Sequence, residues 1–141
     1  MDNEELLNAW LQLGCIIDNQ RLVTDLPFNE ALVCGILFRA GEPLTASDLC
    51  TRTRILKSQM NAILRSLESK GFLARRPSVR DGRRVELELL PAGVERYNAS
   101  HRHTLVLVDR LTARLGEEKT RSLTLLLTEA AQAFDQIIKE V

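Results

Sequence analysis

A chain of 141 residues with 45% hydrophobic and 27% charged residues has the make-up of one globular domain with its own core. Its longest apolar run, Ala31 to Phe38, is far too short for a membrane span. The acidic start Met1-Asp2-Asn3-Glu4-Glu5 is unlike a secretory leader, and 3 widely spaced cysteines make no disulfide framework, so a cytoplasmic protein without a membrane partner is expected. The 19 basic residues balance the 19 acidic ones, yet residues 52–84 hold ten basic residues against only Glu68 and Asp81. A stretch of net charge +8 therefore sits between flanks that sum to −8, as expected where only part of a chain meets a polyanion.

From Glu4 to about Val23 the apolar residues Leu6, Trp10, Leu13 and Ile17, with Leu7 and Leu11 beside them, recur with a helical period. Leu26-Pro27 ends that helix, and Asn29 to Ala40 reads as a second one, stopped by Gly41 and Pro43. Thr45-Ala46-Ser47-Asp48 has the spacing of a capping box and opens a short helix over Ala46 to Thr53. After a turn near Arg54–Leu56, a longer helix runs from Lys57 to Lys70, with Met60, Ile63, Leu64 and Leu67 as its core stripe and Gly71 as its stop. Two helices joined by a tight turn make a helix-turn-helix. Phe72–Arg76 and Val85–Leu89 then read as two strands around the turn-forming Asp81-Gly82, a basic hairpin or wing. Pro91 starts a helix that lasts to Leu115, Gly116 breaks it, and Glu117 to Glu140 carries a last amphipathic helix. The fold class is mainly α with a small β-hairpin wing. The expected division is a DNA-binding region at 26–90 within one continuous domain, flanked by a helical dimerisation region at 1–25 and 91–141.

At about 100° per residue, a helix over 57–70 that buries its stripe turns Ser58, Ala62, Arg65 and Ser69 outward, with Gln59 and Asn61 flanking them and Lys57 at its start. This small, polar face can approach base edges: Gln or Asn pairs with adenine, Arg with guanine. Ser58 and the helix N-terminus suit a phosphate. Arg80, Arg83 and Arg84 crowd the hairpin tip, where an arginine fits a narrow minor groove and Asp81 is near enough to support Arg83; Arg75 and Arg76 at its base suit phosphates. A solvated helix face and loop would be the ordinary reading of either feature alone. Together, within a +8 stretch, they point to double-stranded DNA.

Leu49 to Met60, Leu67-Glu68-Ser69-Lys70-Gly71-Phe72-Leu73, Arg75-Arg76-Pro77, Asp81-Gly82-Arg83 and Leu89-Leu90-Pro91-Ala92-Gly93 together resemble the MarR-type (multiple-antibiotic-resistance regulator) transcription factors. These pieces resemble that family's helix-turn-helix, its exit from the recognition helix, its wing and its lead into the next helix. The sequence departs from the family pattern at Leu56, Arg65-Ser66 and Leu90. The resemblance implies a homodimeric, ligand-responsive repressor on a pseudo-palindromic operator. Leu6, Leu7, Trp10, Leu11, Leu123, Leu126, Leu127, Phe134, Ile137 and Ile138 are the candidate dimer surface, being more apolar residues than one small module covers. The resemblance also implies an aromatic or amphipathic effector in a pocket near Trp10, Gly14, Ile17, Phe28 and Leu32.

Cys15 lies where one branch of that family senses oxidation, but a lone cysteine is more often a small hydrophobe, and the supporting tyrosines are missing, since the one tyrosine is Tyr97. Cys34 and Cys50 read as core residues. His101 and His103 stand about 200° apart on a helix and cannot share an ion, so no metal or cofactor is expected. No nucleotide loop or nucleophile motif is present, which argues against an enzyme. Two alternatives to the ligand-responsive repressor follow: an oxidation-sensing regulator acting through Cys15, and a winged-helix module whose wing binds an acidic protein.

Overall fold

A computed structural model describes residues 2–20 and 26–140. The expected end of the first helix at Val23 lies outside the described residues. Eight elements follow in the expected order: α1 (Asn3–Gln20), α2 (Phe28–Arg39), α3 (Ala46–Thr53), α4 (Lys57–Ser69), β1 (Leu73–Pro77), β2 (Val85–Leu89), α5 (Pro91–Leu115) and α6 (Glu117–Glu140). The chain forms two compact units, Met1–Thr104 and Leu105–Val141.

In the first unit the core is built by the elements around the helix-turn-helix. Val33 and Cys34 of α2, Leu49 of α3, and Met60, Leu64 and Leu67 of α4 have no exposed surface, and Leu73, Leu87 and Tyr97 close the cluster. Cys50 is half-buried against this core. Helix α3 starts with a complete capping box. Thr45 Oγ1 accepts from the Asp48 amide at 3.2 Å, and Asp48 Oδ2 accepts from the Thr45 amide at 2.9 Å. It ends at Arg54, which takes the left-handed conformation (φ 62°) more usual for glycine. Helix α4 begins at Lys57 as read from the sequence, although its N-cap Leu56 supplies no side-chain hydrogen bond. Lys70 is its C-cap, and Gly71 (φ 76°) supplies the left-handed residue that lets the chain turn into the hairpin.

The hairpin is antiparallel, with Leu73 opposite Leu89 and Pro77 opposite Val85. Its first strand starts one residue later than the expected Phe72, because the Phe72 amide bonds to Leu67 O and the Phe72 carbonyl accepts from the Leu90 amide. A third segment joins it. The Leu87 amide donates to Leu44 O at 2.8 Å, an isolated bridge that ties the hairpin to the loop before α3. No periodicity marks the single residue Leu44, so this link is not visible in sequence.

The start of α5 rests on the same place. A Cβ built on Gly93 would lie 2.3 Å from Phe72 O and 2.7 Å from Leu89 Cδ1. Only glycine lets the first turn of α5 approach the backbone so closely. In the second unit, the end of α5 and all of α6 form a helical hairpin about Gly116, with an open groove lined by Thr112, Ala113, Thr120, Thr124 and Leu125. Helix α6 has no buried residue. Among the described residues no helix is long and apolar enough to cross a membrane.

Gly93→Ala is expected to lower the unfolding free energy by about 1–3 kcal/mol, an overpacking cost, measured by urea denaturation. Gly41→Ala, where a Cβ meets nothing within 4 Å, is the control and should change stability by less than about 0.5 kcal/mol.

Candidate nucleic-acid interface

The burial of Met60, Leu64 and Leu67 decides which side of α4 faces out. Ser58, Gln59, Ala62, Arg65 and Ser69 are exposed with Lys57, and Asn61 is half-buried at the edge. The absence of a capping side chain at Leu56 leaves the N-terminal turn open toward an anion. The outward face is thus the one read from the sequence, and Ala62 at its centre is small enough for close approach.

The wing loop is more ordered than its composition suggests. Ser78, 8% exposed, accepts on its Oγ from the amides of Arg80 and Asp81, and its own amide donates to Arg84 O at 2.9 Å. Asp81 Oδ1 accepts from the Arg83 amide at 3.0 Å. Asp81 therefore supports the wing by holding the backbone of Arg83. Arg80, Asp81, Arg83 and Arg84 are all exposed at the tip. Nothing in the sequence marks Ser78, because a serine after proline carries no signal of its own.

Ion pairs sort nine of the ten basic residues of the stretch into two sets. Arg52 pairs with Glu42 (3.9 Å), Lys70 with Glu30 (2.6 Å), Arg75 with Glu68 (2.7 Å), Arg84 with Asp48 (3.4 Å) and Arg76 with Glu88. Lys57, Arg65, Arg80 and Arg83 have no acidic partner among the described residues. The paired cations stitch elements together, and the other four lie on the outward face of α4 and at the wing tip. Arg75 and Arg76 at the hairpin base are thus already partnered, so their charge toward any outside anion is partly offset.

Asp48 joins both sets of contacts. Its carboxylate caps α3 and reaches Arg84 of the wing. The Thr45 amide bond, aided by the Thr45 hydroxyl and the nearby Arg84 and Arg52 charges, holds its pKa below the ordinary 3.8 despite some opposing desolvation.

A separate cavity of about 180 Å³ lies between α2 and the first half of α5. Phe28, Ala31, Leu32 and Gly35 line one side, and Arg39, Tyr97, Ser100, His101 and Thr104 complete it. Arg39 Nη1 donates to Tyr97 Oη at 2.8 Å, and His101 stacks on the Tyr97 ring with centroids 5.6 Å apart. Of the pocket residues implied by the resemblance, Phe28 and Leu32 line this cavity. Trp10, Gly14 and Ile17 on α1 do not, and Trp10 stands 55% exposed. Tyr97, not assigned to the pocket from the sequence, is its central ring.

The candidate dimer residues remain accessible in the single chain. Leu6, Leu7, Trp10 and Leu11 on α1, and Leu126, Leu127, Phe134, Ile137 and Ile138 on α6, are all exposed; Leu123 is half-buried. Cys15 is exposed on α1. Burial, with the Glu30 charge adding to it, pushes the Cys34 thiol up to about 11. Among the described residues no three His, Cys, Asp or Glu side chains come together as metal ligands.

Two helices in a tight turn, an outward polar face and an arginine-tipped hairpin define a winged helix-turn-helix fold. The family model described as "MarR family" matches residues 24–84, which run from the approach to α2 through the wing tip. No curated protein matches the chain by sequence. Among solved structures, FabT of Streptococcus pneumoniae in complex with DNA superposes with a TM-score of 0.81 at 19% identity, covering 96% of this chain and 99% of that one. BpsR of Bordetella bronchiseptica, whose DNA binding is regulated by 6-hydroxynicotinic acid, gives 0.74 at 18% identity, covering 92% and 93%. Wild-type MarR of E. coli in its apo form gives 0.70 at 21% identity, covering 92% and 97%. These likenesses show the winged helix-turn-helix fold over nearly the whole chain and a match to the MarR family model over residues 24–84.

Asp48→Ala is expected to cost about 1 kcal/mol of stability at neutral pH, the usual worth of a cap. Because the folded-state pKa is depressed, the contribution is complete above the ordinary value of 3.8 and is lost as pH falls through the folded value. The gap between wild type and variant in denaturant titrations should therefore be constant from neutral pH down to about pH 5 and shrink in more acid solution. In a second measurement, Cys34 should resist iodoacetamide at pH 8 in the native protein and react once it is unfolded. Native labelling of Cys34 at the rate of a free thiol would contradict its place in the core.

Proposed function

We propose that the protein is a cytoplasmic, homodimeric repressor that reads a pseudo-palindromic operator and is released by a small effector. The observation that carries the reading is the placement of the unpaired cations. Lys57 and Arg65 on α4 and Arg80 and Arg83 on the wing border the two surfaces that a major and a minor groove would meet. In this reading Ser58, Gln59, Asn61, Ala62 and Arg65 face base edges, Arg80 and Arg83 enter the minor groove, and Arg75, Arg76 and Arg84 flank phosphates.

Homodimerisation is supported by the exposed apolar faces of α1 and α6. A 24-residue amphipathic helix without one buried residue is poorly explained in a lone chain. Two copies would present two recognition helices to half-sites about one helical turn apart.

The cavity supports an effector. Its apolar wall suits a single ring, and Arg39, Tyr97 and His101 offer polar partners at one end. FabT was solved with DNA and BpsR is regulated by 6-hydroxynicotinic acid; both properties fit the arrangement of this chain.

Duplexes selected by the protein from a random pool should share an inverted repeat, and binding should weaken steeply with salt, with a log–log slope of about −0.9 for each phosphate neutralised. Arg83→Ala should weaken that binding and reduce the slope by about 1 for each protomer bound, with the oligomeric state unchanged by sedimentation. Equal affinity for selected and random duplexes would reject sequence-specific regulation and favour a protein-interaction module.

A further inference from the structure

Helix α2 has two different faces. Phe28, Ala31, Leu32, Gly35 and Arg39 lie along one side and wall the cavity. At about 100° per residue, Glu30, Val33 and Cys34 fall on the other side, where Val33 and Cys34 are fully buried and Glu30 is 7% exposed. A carboxylate that deep is tolerated only with partners. Both of its hydrogen-bond donors come from the far end of the recognition helix and its cap. Ser66 Oγ donates to Glu30 Oε1 at 3.1 Å, and Lys70 Nζ donates to the same oxygen at 2.6 Å.

The two ends of α4 are thus held differently. Its N-terminal end has no side-chain cap, and Leu56 there is 68% exposed. Its C-terminal end is tied to a buried anion on the helix that walls the cavity. Ser66 directly follows Arg65 on the same helix, so an anchor at Ser66 also restrains the turn that carries Arg65. Burial of Met60, Leu64 and Leu67 decides which side of α4 faces out but is non-directional; the charge-assisted hydrogen bonds are directional and fix the finer rotation within that orientation.

We infer that Glu30 is a positioning residue for DNA reading, the point through which α2 sets the rotation of α4 and joins the cavity wall to the major-groove face. The inference rests on α4 being the DNA-reading helix. It concerns specificity, because Arg80 and Arg83 on the wing are not linked to Glu30 and would continue to attract any duplex.

The test uses the full chain, a duplex selected by the wild type, and a shuffled duplex of the same composition. Glu30→Leu removes the acceptor at similar size. Glu30→Gln keeps an oxygen for Ser66 and Lys70. Glu30→Leu should bind the selected duplex about ten-fold more weakly or worse, a coupling of ordinary size, and the shuffled duplex within about two-fold of wild type. Glu30→Gln should recover at least half of the loss on a logarithmic scale. Equal losses on both duplexes, no loss, or a glutamine variant no better than the leucine one would overturn the inference. Should Glu30→Leu fail to fold, Ser66→Ala decides in its place: a loss confined to the selected duplex supports the inference, and an equal loss or none overturns it. A wild type that binds both duplexes alike would remove the DNA-reading role of α4 itself, a result visible before any variant is compared.

Discussion

The rotation of α4 about its own axis is the constraint on which the interface depends. Met60, Leu64 and Leu67 are completely withdrawn from solvent, and each full burial of such a side chain is worth about 1.5–3 kcal/mol. Turning the helix by even one residue would expose part of this stripe and bury Arg65 or Gln59. Such a change would also cost the desolvation of polar groups. The small polar face therefore points outward because its opposite has nowhere else to go. The other elements support this arrangement: α3 packs against α4, the hairpin follows Gly71, and α5 begins on the Phe72 carbonyl.

Electrostatics finishes what burial begins. Among the described residues, Glu68 pairs with the basic stretch from within it, and Glu30, Glu42, Asp48 and Glu88 pair with it from the flanks. A net charge of zero thus conceals a division of labour. Some carboxylates neutralise cations where elements meet, and Lys57, Arg65, Arg80 and Arg83 keep their charge on the outward face and wing tip. Surface pairs of this kind add little stability individually. Their larger effect is on where positive potential survives, and hence on which surface draws a polyanion.

Much of the fold was legible because each element carries a strong local signal. The capping box at Thr45–Asp48, the period-2 run at Val85–Leu89 and the break at Gly116 need no distant partner to be read. The helix face at Ser58, Ala62 and Arg65 follows from the core stripe by geometry alone. The candidate site was less legible. Arg75 and Arg76 look like free cations in sequence, whereas the fold brings them to Glu68 and Glu88. Tyr97 gives no sign that it will meet Arg39 across 58 residues.

The amino-acid sequence by itself determined the order of elements, the amphipathic direction of α4, the arginines of the wing and the clustering of charge. Those properties depend on neighbours within a few turns of chain, where periodicity and turn chemistry act. Tertiary structure alone decided which cations remain unpaired, that Ser78 and Asp81 shape the wing loop, that Leu44 bridges to Leu87 of the hairpin, and that Glu30 is buried against Ser66 and Lys70. Each of these rests on a contact between residues that only folding brings within a few ångströms. Coulomb and hydrogen-bond energies fall off too steeply for sequence proximity to stand in for such contacts.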